Sequence, residues 1–148
     1  MIDSNIVPNF QPLLQMAIQL QRAKKIAEAK KIYEFILNQD SKNFDALHML
    51  GEIAYSTSDL QTALDYFNKA LKVDDQFYLI HYNRGLILKK MHLLEEAVAS
   101  YNAAIKLNKT HVQSYSNRGN ILSSLKKYDL AISDFNQAIA IDSNYAQV

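Results

Sequence analysis

The residues best suited to chemistry are four histidines, His48, His81, His92 and His111, and one acidic pair, Glu95 and Glu96. Imidazole titrates near neutral pH and ligates metals, so spacing decides what it can do. No histidine stands four residues from another, and none is set with acids in a known metal-ligand arrangement. His81 reads as a packed or partly solvated ring. Glu95 and Glu96 open a helical pattern, where the helix dipole favours acids without any catalytic role. The chain has no cysteine, so thiol nucleophiles, zinc knuckles and disulfides are excluded. No glycine-rich phosphate loop, nucleophile elbow or H-E-x-x-H run occurs. The expectation is a non-catalytic chain with no cofactor and no metal site.

The remaining polar chemistry belongs to amides, hydroxyls and amines, which bind rather than react. At 148 residues, 49% hydrophobic and 21% charged, the chain has room for about one folded domain. Sixteen Lys plus Arg against fifteen Asp plus Glu leave a formal charge of +1. That balance exerts no global pull toward nucleic acid or an anionic membrane. Apolar runs fall far short of the roughly 20 residues that span a bilayer. The opening MIDSNIVPNF carries an early acid, Asp3, and no basic stretch ahead of an apolar core. It does not read as a secretory leader, and a cytoplasmic location is expected. Lys24, Lys25, Lys30 and Lys31 are the nearest thing to a charge cluster and are expected on a solvated helix face.

The elements that position these residues follow from a period. Gly51, Gly85 and Gly119 recur every 34 residues, a spacing typical of repeat proteins. Ala29, Ala63, Ala97 and Ala131 share a column, as do Tyr33, Phe67, Tyr101 and Phe135. Ile36, Ala70, Ala104 and Ala138 form a third column, with Leu37, Leu71, Ile105 and Ile139 beside it. Four units result, 10–43, 44–77, 78–111 and 112–145, after an N-terminal extension 1–9 and before a short segment 146–148. Each unit carries two apolar helical stripes around a polar break, such as Ser56 to Asp59 in the second. Ser58 or Asp59 is expected to cap the following helix. The two prolines, Pro8 and Pro12, stand near the start, with Asn9 as a cap and Pro12 in a first turn. Small residues at the helix crossing are expected to let the backbones approach, and the aromatic column to fill the space between helices.

These columns resemble the tetratricopeptide repeat, an antiparallel helix pair of 34 residues. The resemblance rests on Tyr82, Asn83, Gly85, Ala97, Tyr101 and Ala104 in the third unit, and on Asn117, Gly119, Ala131, Phe135 and Ala138 in the fourth. It implies an all-α fold, a right-handed superhelical solenoid of four antiparallel helix pairs. Three departures stand out. The early aromatic of the first helix is Leu13, Leu47, His81 or Tyr115. Ser41, Asp75, Lys109 and Ser143 replace the usual proline, with Asp40, Asp74, Asn108 and Asp142 before them to turn the chain through side-chain hydrogen bonds. Ala17 stands in the glycine column of the first unit.

The resemblance also implies a concave groove, lined by the first helices, that holds an extended peptide or a partner helix. Its expected contacts here are His48, Glu52, Tyr55, Tyr82, Asn83, Lys89, Asn117 and Asn120. Asn83 and Asn117 share a column that continues as Gln15 and Met49, a partial likeness to the asparagine ladder of O-linked N-acetylglucosamine transferase repeats. An Asn amide can pair with both groups of a peptide bond. The carboxylate clamp some family members use for acidic chaperone tails is not expected. Its positions read Leu14, Ile18, Met49, Leu79 and Asn83, or in the next register His48, Glu52, Asn83, Gln113 and Asn117. The first two units are also similar to repeats that precede a bacterial glycosyltransferase domain, which implies a targeting module in a longer parent enzyme. The last helix, Tyr128 to about Ile141, is expected to leave Ile132, Phe135 and Ile139 uncovered. That face suggests either a fragment of a longer protein or self-association.

Overall fold

The computed structural model describes residues 8–145, with side chains through Ser143. The segment 146–148 and most of the N-terminal extension lie outside the described residues. Among the described residues, eight α-helices follow in order: α1 (Gln11–Arg22), α2 (Ile26–Gln39), α3 (Phe44–Ser56), α4 (Leu60–Val73), α5 (Tyr78–Lys90), α6 (Leu94–Leu107), α7 (Val112–Ser124) and α8 (Tyr128–Tyr145). They pack as four helix pairs, each helix chiefly on the next in the chain. The last helix passes Ile141 and Asp142 and continues to Tyr145. Asp142 therefore sits inside a helix and makes no turn there.

The core explains why single pairs do not suffice. Ala17 of α1, Ala29, Tyr33 and Ile36 of α2, and Ala46 and Leu50 of α3 form one buried cluster. Leu47 of α3, Phe67 and Ala70 of α4, and Ile80 and Ile87 of α5 form the next. Leu88, Ala97, Tyr101 and Ile121 link α5, α6 and α7 in the same way. Each pair thus buries its apolar face against the first helix of the following pair, as a solenoid requires.

The glycines receive aromatic rings rather than a facing backbone. A Cβ on Gly51 would stand 2.6 Å from the Phe67 ring, one on Gly85 2.7 Å from Tyr101, and one on Gly119 2.8 Å from Phe135. Phe135 is therefore half-buried on Gly119 and does not belong to the uncovered face expected for it. Ile132 and Ile139 remain 57% and 63% exposed.

Two kinds of turn alternate. Within each pair, the residue after the C-cap has φ near +60°: Lys24, Ser58, His92 and Lys126. The following amide reaches back to the third-last helical carbonyl, as Lys25 does to Leu20 at 2.8 Å and Leu93 to Leu88 at 2.9 Å. This is the Schellman closure, here without glycine. Between pairs, Asp40, Asp74 and Asn108 each accept a backbone hydrogen bond two residues on, at 3.1, 2.8 and 3.0 Å. Asx geometry thus does the work of the missing proline. Asn43 caps α3 through Ala46 N at 3.1 Å and Asp59 caps α4 through Thr62 N at 3.2 Å. Asn9 accepts from Gln11 N at 3.0 Å beside Pro12. Lys24, Lys25, Lys30 and Lys31 are all exposed.

Candidate functional site: a partner-binding face on the first helices

α5 and α7 place the richest group of polar and aromatic side chains together. The His111 ring stands edge-on between two tyrosines, its centroid 5.0 Å from Tyr78 and 4.8 Å from Tyr82. Its Nδ1 is 2.7 Å from Ser114 Oγ. Burial pulls the His111 pKa down and pushes that of Tyr82 up. Asn117 donates to the Gln113 carbonyl at 3.0 Å and to the Tyr82 hydroxyl at 3.5 Å. Lys89 Nζ donates to Asn117 Oδ1 at 3.2 Å. Lys89 also lines a depression of about 340 Å³ with His92, Asn120 and Ser124. Asn120 is exposed there.

A second group lies on α3 and α5. Glu52 Oε1 is 3.3 Å from His48 Nε2. The pull of His48, hydrogen-bonding in character, outweighs burial and holds the Glu52 carboxyl below its ordinary range, with Asn83 assisting. The ring nitrogen nevertheless falls short of full hydrogen-bond geometry and has no other partner. The His48 side chain is only 14% exposed and its ring stands T-shaped to Phe77 at 5.5 Å. His48 is thus mainly a packing residue, while Glu52 and Asn83 carry that group's accessible chemistry. Tyr55 lies under Lys90, whose Nζ is 4.2 Å from the ring centroid.

The structure therefore joins Tyr82, Lys89 and Asn117 directly and brings Asn120 beside Lys89. It joins Glu52 with His48 and Asn83, and leaves Tyr55 with Lys90. Within the asparagine column, Asn117 already serves Tyr82, Lys89 and Gln113, while Asn83 faces Glu52. His81 meets the Asp75 carbonyl at 2.8 Å, as suits a partly solvated ring.

Lys89 has a further consequence. Tyr33 of the first unit donates to Gln21 at 2.6 Å, and Lys89 holds the Gln21 position two units on. Lys89 turns instead to Asn117, and the buried Tyr101 hydroxyl is left without a partner. Burial pushes the Tyr33 hydroxyl up to about 12 and raises that of Tyr101 as well.

Two residues escaped sequence reasoning. Arg84 donates to Asn68 at 2.9 Å and to Ser100 at 2.6 Å. Arg118 donates to Asn102 at 2.6 Å and bidentately to Asp134 at 2.8 and 2.5 Å. Each guanidinium ties the second helix of its own pair to that of the pair before. Their 34-residue spacing was the available signal.

Residues 78–111 and 112–145 each match a tetratricopeptide repeat model, and residues 14–77 match a second model of the same description. The chain belongs to the tetratricopeptide repeat family and is a protein-interaction module of that kind. A crystal structure of MamA is 18% identical with TM-score 0.88, over 95% of this chain and 82% of that one. A second crystal structure of MamA is 19% identical with TM-score 0.83, over 94% and 76%. The MamA RS-1 ArsTM double mutant is 17% identical with TM-score 0.85, over 93% and 77%. Identities this low establish a shared fold alone. No curated protein matches. The likeness to transferase repeats gains no support from these matches, and the matched repeat families are scaffolds rather than catalytic families. Among the described residues, no helix is long and apolar enough to cross a membrane and no group of His, Asp and Glu is set to hold a metal.

Proposed function

We propose that the face built by α3, α5 and α7 binds an extended peptide or a partner helix, with Glu52, Tyr55, Tyr82, Asn83, Lys89, Asn117 and Asn120 as contacts. The observation that carries this reading is the Tyr82–Asn117–Lys89 cluster beside the depression lined by Lys89 and Asn120. Tyrosine rings supply apolar area at small entropic cost, while amides and an amine read backbone and carboxylate groups. Peptides selected from a displayed library on the whole chain test it. The double change Asn83→Ala, Asn117→Ala should weaken their binding about tenfold or more, the loss of one or two hydrogen bonds, and leave the helical signal intact. Equal binding to both proteins would overturn the assignment.

A second reading is self-association. α8 exposes Tyr128 at 58%, Ile132 at 57% and Ile139 at 63% along one side, an apolar strip of the kind that marks contact surfaces. Solution mass that rises with concentration, and falls back to that of one chain in Ile132→Lys, Ile139→Lys, would support it. A constant single-chain mass would end it.

A further inference from the structure

The second-helix side of the solenoid carries a different site. At two of its three junctions, an arginine of this chain bridges successive second helices. Arg84 does so between α4 and α6, and Arg118 between α6 and α8. At the junction of α2 and α4 the same column holds Leu50, which is too short and apolar to bridge. A slot of about 330 Å³ lies there, lined by Lys30 of α2, Leu50, Ile53 and Ala54 of α3, and Asp59 and Tyr66 at α4. In it Leu50 and Tyr66 hold the columns of Arg118 and Asp134 from the depression around Arg118, while Glu34, in the column of Asn102, lies outside the lining and adjoins it through Lys30.

The acceptors outlast the arginine. Glu34 stands in the column of Asn68 and Asn102, and Tyr66 in that of Ser100 and Asp134. Their columns are those from which Asn102 and Asp134 both meet Arg118, and Glu34 adds to the effect of burial in raising the Tyr66 hydroxyl's pKa. Asp59 is the carboxylate of the lining itself, one oxygen of which accepts from Thr62 N. The cations nearby are weakly held. Lys30 pairs with Glu34 at 3.7 Å, both side chains about half exposed, a pair of small worth. Lys69 sits 5.7 Å from the Tyr66 ring centroid.

We infer that this slot receives an arginine side chain from a partner protein, its aliphatic stem over Leu50 and Ile53 and its guanidinium between Glu34 and Tyr66. The site lies apart from the first-helix face proposed above. Arginine fits better than lysine because its planar fork serves two acceptors at once and tolerates partial burial.

The probes are three blocked tripeptides, Gly-X-Gly with X as arginine, citrulline or lysine, titrated into the whole chain by NMR. The arginine peptide should shift Ile53, Thr62 and Tyr66 signals saturably, and bind about tenfold more tightly than the citrulline peptide, as a charge-assisted pair requires. Glu34→Gln, an exposed change, should erase that preference. Leu50→Arg should supply the group from within and abolish the shifts, and Glu34→Gln decides alone if that variant does not fold. Equal shifts from arginine and citrulline, an arginine preference that survives Glu34→Gln, or shifts centred on Tyr82 and Asn117 instead would overturn the inference.

Discussion

Lys89 at the end of α5 donates to Asn117 of α7 across 3.2 Å. The two helix pairs are thereby joined on the face proposed to meet a partner. A ligand that pairs with the Asn117 amide must displace an amine already there, and the freed Lys89 is then at hand for a carboxylate of the same ligand.

The same lysine predicts a stabilising substitution. Lys89→Gln restores the acceptor that Gln21 gives Tyr33 to a buried Tyr101 hydroxyl that has none. A hydrogen bond made to such a group is worth about 1 kcal/mol. Urea unfolding should show a gain of that order. A variant no more stable than wild type would mean that the Tyr101 hydroxyl is served in some other way.

The two arginines should differ in worth. Asp134 is buried and meets Arg118 with both oxygens, so Asp134→Ala strands a partly buried cation and should cost about 3 kcal/mol. Ser100→Ala removes only a neutral acceptor from Arg84 and should cost about 1 kcal/mol. Comparable losses in chemical denaturation would contradict this order.

Gly85→Ala sets two effects against each other. Alanine favours a helix over glycine by about 1 kcal/mol. The new methyl, however, would lie 2.7 Å from a fully buried Tyr101 ring, and such overpacking costs about 2 kcal/mol. The net expectation is a lower melting temperature, with the helix content of the folded state unchanged. Ala17, tolerated opposite Tyr33 in the first pair, marks how far the helices there must part.

Acid should weaken the fold in two stages. His111 is held neutral by burial, with a folded pKa below 6.5, so the unfolded chain binds the proton more readily. The stability this contributes is present above pH 6.5 and is lost as pH falls below it. Glu52 has a folded pKa below 4.5, so its contribution is present above that value and lost as pH falls further. Melting curves from pH 7.5 to 3.5 should show both stages. His111→Phe, which keeps a ring against Tyr78 and Tyr82, should flatten the first and spare the second.

The fold was legible because its determinants are coarse. Three glycines, an alanine column and an aromatic column at one period place the helix pairs, and nothing else fits Gly85 against Tyr101. The site was less so. Period and helix face locate Tyr82 and Asn117, but a rotamer decides whether Lys89 reaches Asn117 or Tyr101. His48 looks polar in sequence, yet three phenylalanines surround its ring. Arg84 and Arg118 carry no local signal, because a bridge to helices 16 residues away in both directions shows only as their shared period. The last helix runs past Asp142 to Tyr145, although Asp142 stands in the column of Asp40, Asp74 and Asn108, so an Asx residue at that position does not by itself specify the turn.

Lys24, Ser58, His92 and Lys126 hold a left-handed backbone at the four turns within the helix pairs. Four unrelated side chains adopt one geometry, so the helices impose the turn and the turn residue merely complies. Each carries steric strain of roughly 1 kcal/mol that glycine would relieve, less the extra entropy glycine has when unfolded. His92 lines the depression beside Lys89 and Ser58 adjoins Asp59 of the slot, so it is at Lys24 and Lys126 that heat resistance can be tuned without touching the side chains proposed to meet a partner.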